Sequence, residues 1–316
     1  MHQLCISNLV YGQPYTNIFL NFHLKSLLEN LNSCPLDKSF YFIFTEESNI
    51  PVIEAHNNFQ LLKDKLEVAF IKFDGDSPTN ALRYQYQGLQ AEWSVRFALE
   101  HKVLLHTAAA DLYYGMNYFK NALNFISRGY DALVHQPMRA AYESTAHYLN
   151  LGELSVNDLF QACFLNLHPI WTSQNWDNPY FTIMPYHLIW SDDKAICMRG
   201  FSLSVPIVVP KEWMLKKRGC SDMTYLPHIK NAYYSSDWSE LPMIELQQLS
   251  SFYPSFSHKK SSIQDLVIWA KKNISPENYS NLARYTIFKK TNDSINEELI
   301  SNSKKISDEI MTVLKF

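Results

Sequence analysis

The sequence predicts an α/β protein with a mostly parallel sheet flanked by helices, and three observations carry that prediction. Through the first half of the chain, short β-branched and aromatic runs alternate with stretches whose apolar residues recur at helical spacing. Hydrophobic residues make up 47% of the 316 residues and charged residues 19%, the composition of a chain that buries a sizeable core rather than staying disordered. Glycine is scarce, with 8 in all, and no GxGxxG, GxxxxGK[ST] or GxSxG occurs. The dinucleotide cradle, the P-loop and the hydrolase elbow each need glycine where backbone approaches ligand or turns sharply, so those α/β classes are excluded.

Residues 5–10 read as a buried strand, and residues 17–31 place Ile18, Phe19, Phe22, Leu24, Leu27 and Leu28 at roughly helical spacing. The run SFYFIFTEES is a second strand ending in acids. A helix and a third strand, about 68–73, follow. Pro78, behind Asp76 and Ser77, starts a long helix over about 79–100. VLLHT is the fourth strand, MNYFKNALNFISRGY a helix and YDALVHQP one more strand. Four strands separated by three helices predict parallel pairing. Residues 139–169 are helical in pattern. Residues 171–246, rich in Pro, Trp and Tyr, read as loops with extended runs such as FSLSVPIVV and MIEL. The tail returns to helix in QDLVIWAKKN, ENYSNLARYTIFKK and a charged last helix from about 297. The expected organisation is an α/β half over 1–138 and a region over 139–316 that packs against it.

Charge and cysteine content narrow the function classes. With 28 basic and 31 acidic side chains the net charge is −3, which argues against a field for nucleic acid. Five scattered cysteines with no CxxC pair indicate neither a zinc knuckle nor a disulfide framework. The opening MHQLCISNLVYG lacks the features of a signal peptide, and no apolar run reaches membrane-spanning length, so the expectation is a cytoplasmic protein with no transmembrane segment. Nineteen Tyr, nineteen Phe and seven Trp supply core volume and flat surfaces for stacking.

In an open α/β sheet, ligands sit beyond the carboxyl ends of the strands, and Asp111 in VLLHTAAADLYYG falls there. This order of elements, with that acid after the fourth strand, resembles the nucleotide-sugar-binding half of GT-A-type glycosyltransferases, especially a bacterial group of unassigned specificity. The resemblance implies a GT-A-like sheet, a nucleotide-sugar donor, a glycan or other acceptor, and a divalent Mn or Mg ion held by an Asp-x-Asp motif. Asp111 matches one acid of that motif, while Ala109 and Tyr113 stand two residues either side. The competing account makes Asp111 a turn cap. A literal Asp-x-Asp at Asp74–Gly75–Asp76 lies one strand too early and is explained by turn and N-cap chemistry. Its functional version is a contact to base or ribose.

YYSSDWSELPMIEL resembles an acid-rich segment of the same bacterial group, which makes Asp237 and Glu240 candidates for a catalytic base or a missing metal ligand, with Glu245 nearby. RGFSLSVPIVVP and GCSDMTY resemble two further segments, with Ser202 and Ser204 where that group has histidines and Asp222 its surviving acid. Arg83, Arg96 or Tyr114 would neutralise a diphosphate in a metal-free site. His168 and His187 read first as core or loop histidines, while Trp171, Trp176, Tyr186 and Trp190 could form a sugar-stacking wall. The reading is a glycosyltransferase. The alternative is a non-catalytic carbohydrate- or protein-binding module on the same fold.

Overall fold

The computed structural model describes residues 3–36, 38–73, 80–179, 186–217, 224–251 and 262–315, and of residues 80–84 the backbone alone. In chain order the strands are β1 (Leu4–Val10), β2 (Phe40–Glu46), β3 (Glu67–Phe73), β4 (Leu104–Ala109), β5 (Leu112–Tyr114) and β6 (Ala132–Val134). They continue as β7 (Met138–Ala141), β8 (His187–Ser191), β9 (Ala195–Gly200), β10 (Ile207–Val208), β11 (Ala232–Tyr234), β12 (Met243–Gln247) and β13 (Thr286–Lys289). The chain divides into two compact units, Met1–Val134 with Ser204–Tyr234, and His135–Leu203 with Ser235–Phe316.

The first unit is built on one sheet in the order β11-β6-β10-β4-β1-β2-β3. β1 pairs in parallel with β2 and β4, and β2 with β3, as the alternation of elements predicts. β1 is buried along its whole length, as a central parallel strand with both faces covered must be. β3 is partly exposed and carries Glu67 and Lys72, charges that blunt an edge strand. Helices fill the crossovers. After β1 come α1 (Gln13–Ile18), a π turn (Phe19–His23) and α2 (Leu24–Ser33), and after β2 come α3 (Ile50–Glu54) and α4 (Asn57–Lys63). After β3 comes α5 (Asn80–His101), whose Trp93, Phe97 and His101 recur every four residues and so line one face. That face packs on β2, with Phe97 rings 4.9 and 4.6 Å from Phe40 and Phe42 and Trp93 4.5 Å from Phe42.

The chain steps from β1 outward to β2 and β3, and α5 then carries it back to β4 on the other side of β1. The strand order therefore reverses between β1 and β4. Next come α6 (Tyr118–Ser127) and β6. Residues 204–234, beyond the first half expected from sequence, supply β10, antiparallel to β4 and β6, and β11, parallel to β6. Of the extended run FSLSVPIVV only Ile207–Val208 is strand.

The second unit contains α7 (Tyr142–Leu149), α8 (Val156–Phe164), α9 (Pro169–Thr172), α10 (Ile263–Asn273) and α11 (Glu297–Leu314). Its strands form a parallel pair, β7 with β12, and an antiparallel sheet in the order β13-β9-β8. Arg199 of β9 is buried, its Nε donating to Ser303 Oγ of α11 at 2.9 Å and its guanidinium to the carbonyls of Leu282 and Ala283 at 3.1 and 2.9 Å. One sequence expectation is corrected here. ENYSNLARYTIFKK is a 3₁₀ stretch, Pro276–Ala283, followed by β13, because Thr-Ile-Phe is β-prone and finds a partner in β9 that local helical spacing does not disclose.

Candidate active site at the carboxyl edge of the sheet

Where strand order reverses, the connections from neighbouring strands leave in opposite directions and open a crevice at the carboxyl ends. In the first unit that reversal lies between β1 and β4. Register brings Leu9 beside Ala109 and Val10 beside Thr45, so the ends of β1, β2 and β4 reach the same level. Two residues beyond β1 stands Gly12, whose φ of 70° is the left-handed region that glycine adopts freely. The Gly12 N–H donates to Glu46 Oε2 at 3.1 Å, and the Thr16 backbone and hydroxyl both donate to the Gly12 carbonyl at 3.0 Å. Along β1, Gln90 of α5 donates to the Ser7 carbonyl and hydroxyl at 2.9 Å, tying the long helix to the strand.

Asp111 stands in the turn directly after β4, at this edge, and is 5% exposed. The turn is braced from below. Asn8 Nδ2 donates to the Ala109 carbonyl at 3.0 Å, and His23 Nδ1 lies 2.8 Å from the Leu112 carbonyl. Tyr114 is fully buried, its hydroxyl 2.7 Å from His106 Nε2 and its N–H donating to Ser26 Oγ at 3.1 Å. Its hydroxyl thus belongs to the core network beneath the turn. Burial pushes the Tyr114 phenol well up, and lowers the His106 and His23 imidazoles to about 4 and about 3, because a charge there would lose its hydration.

Sequence reasoning overlooked Glu46, the second of three residues in the run Thr45–Glu46–Glu47 that closes β2. It is 6% exposed, with Oε2 accepting from Gly12 and from Asn49 Nδ2 (2.6 Å) and Oε1 buried with no partner among the described residues. The signal was present as a strand ending in acids at the ligand-binding edge.

The remaining candidates fall elsewhere. Arg96 is exposed and bonded to Glu92 at 3.2 and 2.8 Å, an ordinary i, i+4 surface pair. Arg83 lies on α5 with its side chain outside the described residues, and Asp74, Asp76 and Asp222 also lie outside them. Asp237 and Glu240 belong to the second unit. Asp237 Oδ1 accepts from the Ser239 N–H and hydroxyl at 2.9 and 2.7 Å, capping a 3₁₀ turn, and Glu240 Oε2 accepts from Ser235 Oγ at 3.1 Å. Glu245 pairs with Arg139, its cross-strand neighbour, at 3.0 Å. Trp171 and Trp190 are core residues, 1% and 3% exposed, so neither offers a face for stacking. His168 caps α9 through Nδ1, and His187 lies against Gly200 with Nε2 3.1 Å from the Ser202 carbonyl.

A divalent ion would need hard oxygen donors converging on one point. Among the described residues no group of three or more His, Cys, Asp or Glu side chains is placed to hold a metal ion. Asp111 alone, of the sequence-predicted acids, is described in the first unit.

The fold class is α/β, with a mostly parallel sheet flanked by helices. No protein-family model matches the chain and no curated protein sequence does. Solved structures similar to it include mouse xyloside xylosyltransferase 1, at 16% identity over 48% of this chain and 58% of that one, with a TM-score of 0.29. A Bacillus anthracis protein assigned as a glucose-1-phosphate thymidylyltransferase is 11% identical over 46% of this chain and 57% of its own, with a TM-score of 0.29. HddC from Yersinia pseudotuberculosis is 12% identical over 78% of this chain and 93% of its own, with a TM-score of 0.35. The chain thus spans less than two thirds of the length of the first two. Similarity at this level assigns the chain no substrate and no reaction. Among the described residues, no helix is long and apolar enough to cross a membrane.

Proposed function

We propose that the chain transfers a sugar from a nucleotide-activated donor to a glycan or other acceptor, with the donor bound at the carboxyl edge of β1 and β4. The observation that carries this is the placement of Asp111, a buried acid on a turn pinned from both sides, at the point where strand order reverses. In that reaction the bond from the anomeric carbon to the diphosphate breaks, a bond from the acceptor oxygen to that carbon forms, and the acceptor proton passes to a base. The departing diphosphate gains negative charge, which a cation must offset; Arg83 is the candidate on α5, and Asp74 and Asp76 are candidates for the base and ribose.

One observation favours a second reading, a binding module without catalysis: Ala109 and Tyr113 stand where the resembled motif would have its other acid. A thermal-shift panel of nucleoside diphosphates with and without Mn²⁺ tests the first reading, because a ligand at 100 times its Kd adds about 2.7 kcal/mol of stability. A shift by one nucleotide supports donor binding. No shift with any of them rejects it.

A further inference from the structure

We infer that Asn8, Tyr41 and His23 form one buried polar cluster whose task is to position Asp111, an inference that rests on reading the carboxyl edge as the donor site. Asp111 occupies the two-residue turn between β4 and β5. The carbonyls before and after that turn are each held by a buried side chain, Ala109 by Asn8 Nδ2 at 3.0 Å and Leu112 by His23 Nδ1 at 2.8 Å. Tyr41 lies between those two donors, its hydroxyl donating to Asn8 Oδ1 at 2.6 Å with the oxygen 3.1 Å from His23 Nε2. All three side chains are fully buried. They come from β1, β2 and the π turn, so three separate elements converge on the turn.

The protonation state follows from the partners. A carbonyl only accepts, so His23 carries its hydrogen on Nδ1, and the lone pair on Nε2 competes with Asn8 Oδ1 for the single Tyr41 hydrogen. Burial keeps the imidazole neutral, which preserves that tautomer. His23 is the last residue of the π turn, which also buries Phe19, Leu20 and Phe22. Nothing in the cluster Asn8–Tyr41–His23 touches solvent, so its effect on a ligand passes through the geometry of Asp111.

The test uses the full chain, isotope-labelled, as wild type, His23→Leu, His23→Asn and Tyr41→Phe. Asparagine places an amide N–H where the Nδ1–H stood, and leucine does not. Long-range ¹H–¹⁵N spectra are expected to show His23 protonated on Nδ1. The Asp111 amide resonance is expected to shift and to exchange faster in His23→Leu and Tyr41→Phe, and to return toward wild type in His23→Asn. Tyr41→Phe, which removes one oxygen, carries the test if His23→Leu fails to fold. An unmoved Asp111 amide, or His23 protonated on Nε2, overturns the inference. The variants are then titrated with UDP, GDP, ADP, CDP and dTDP. His23→Leu is expected to weaken the tightest of these about tenfold, with no further loss when Asp111→Asn is added, as for residues coupled in one network. Fully additive losses overturn it. If no nucleotide binds the wild type, the donor-site reading falls, and the Asp111 amide still decides whether the cluster positions that residue.

Discussion

Asp111 is one buried carboxylate whose value lies in its charge at a fixed point, which makes Asp111→Asn the informative substitution: the shape stays and the charge goes. Turnover of the donor is expected to fall about a hundredfold or more, the usual scale for one preorganised electrostatic group. The unfolding free energy is expected to stay within about 1 kcal/mol of the parent, measured by urea denaturation. Arg199 shows the opposite balance. Its three donated bonds satisfy Ser303 and the carbonyls of Leu282 and Ala283 inside the second unit, with the Tyr285 ring 5.2 Å from the guanidinium. Arg199→Met removes the donor to the Leu282 and Ala283 carbonyls and is expected to cost about 3 kcal/mol in the same assay, since each buried unsatisfied group costs about 1–3 kcal/mol.

At the scale of elements, α10 begins with a capping box in which Ser262 accepts from the Asp265 N–H and Asp265 accepts from the Ser262 N–H. Ser262→Ala is expected to destabilise the chain by about 1 kcal/mol, read as a lowered urea midpoint with an unchanged slope. The elements from β1 to β4 were legible because each declares itself locally: β1 and β2 are largely apolar runs, and α5 carries Trp93, Phe97 and His101 at every fourth residue. β13 was not, because Glu277–Lys290 carries helical spacing and its strand state depends on pairing with β9. The site divides the same way. Asp111 stood out as an acid after a strand, whereas Glu46 is defined by an N–H from a loop 34 residues away. The Asn8–Tyr41–His23 cluster brings together residues 33 and 18 apart, which no local pattern discloses.

At the scale of the whole molecule, four histidines, His23, His106, His135 and His187, are buried, and desolvation lowers each from an ordinary 6.5 to about 3 or about 4. Both ring nitrogens of His135 lack a partner among the described residues. Above 6.5 these groups are neutral folded and unfolded, so they give no pH dependence. As pH falls below that value the unfolded chain takes up protons that the folded chain refuses, and stability drops until the folded pKa values are reached. Four such groups are expected to remove on the order of 5 kcal/mol between about pH 7 and about pH 5.5, at up to about 1.4 kcal/mol per group per pH unit. Urea melts across that range check it, and replacing His135 by Leu is expected to flatten the profile by about a quarter of its slope. The central claim is that the carboxyl edge of β1 and β4 receives the diphosphate of a nucleotide-activated sugar. It is tested most directly by diffraction from crystals grown with the tightest-binding nucleoside diphosphate. The diphosphate is expected beside Gly12 and the Asp111 turn; a nucleotide seated elsewhere on the chain, with that edge empty, would contradict donor binding there.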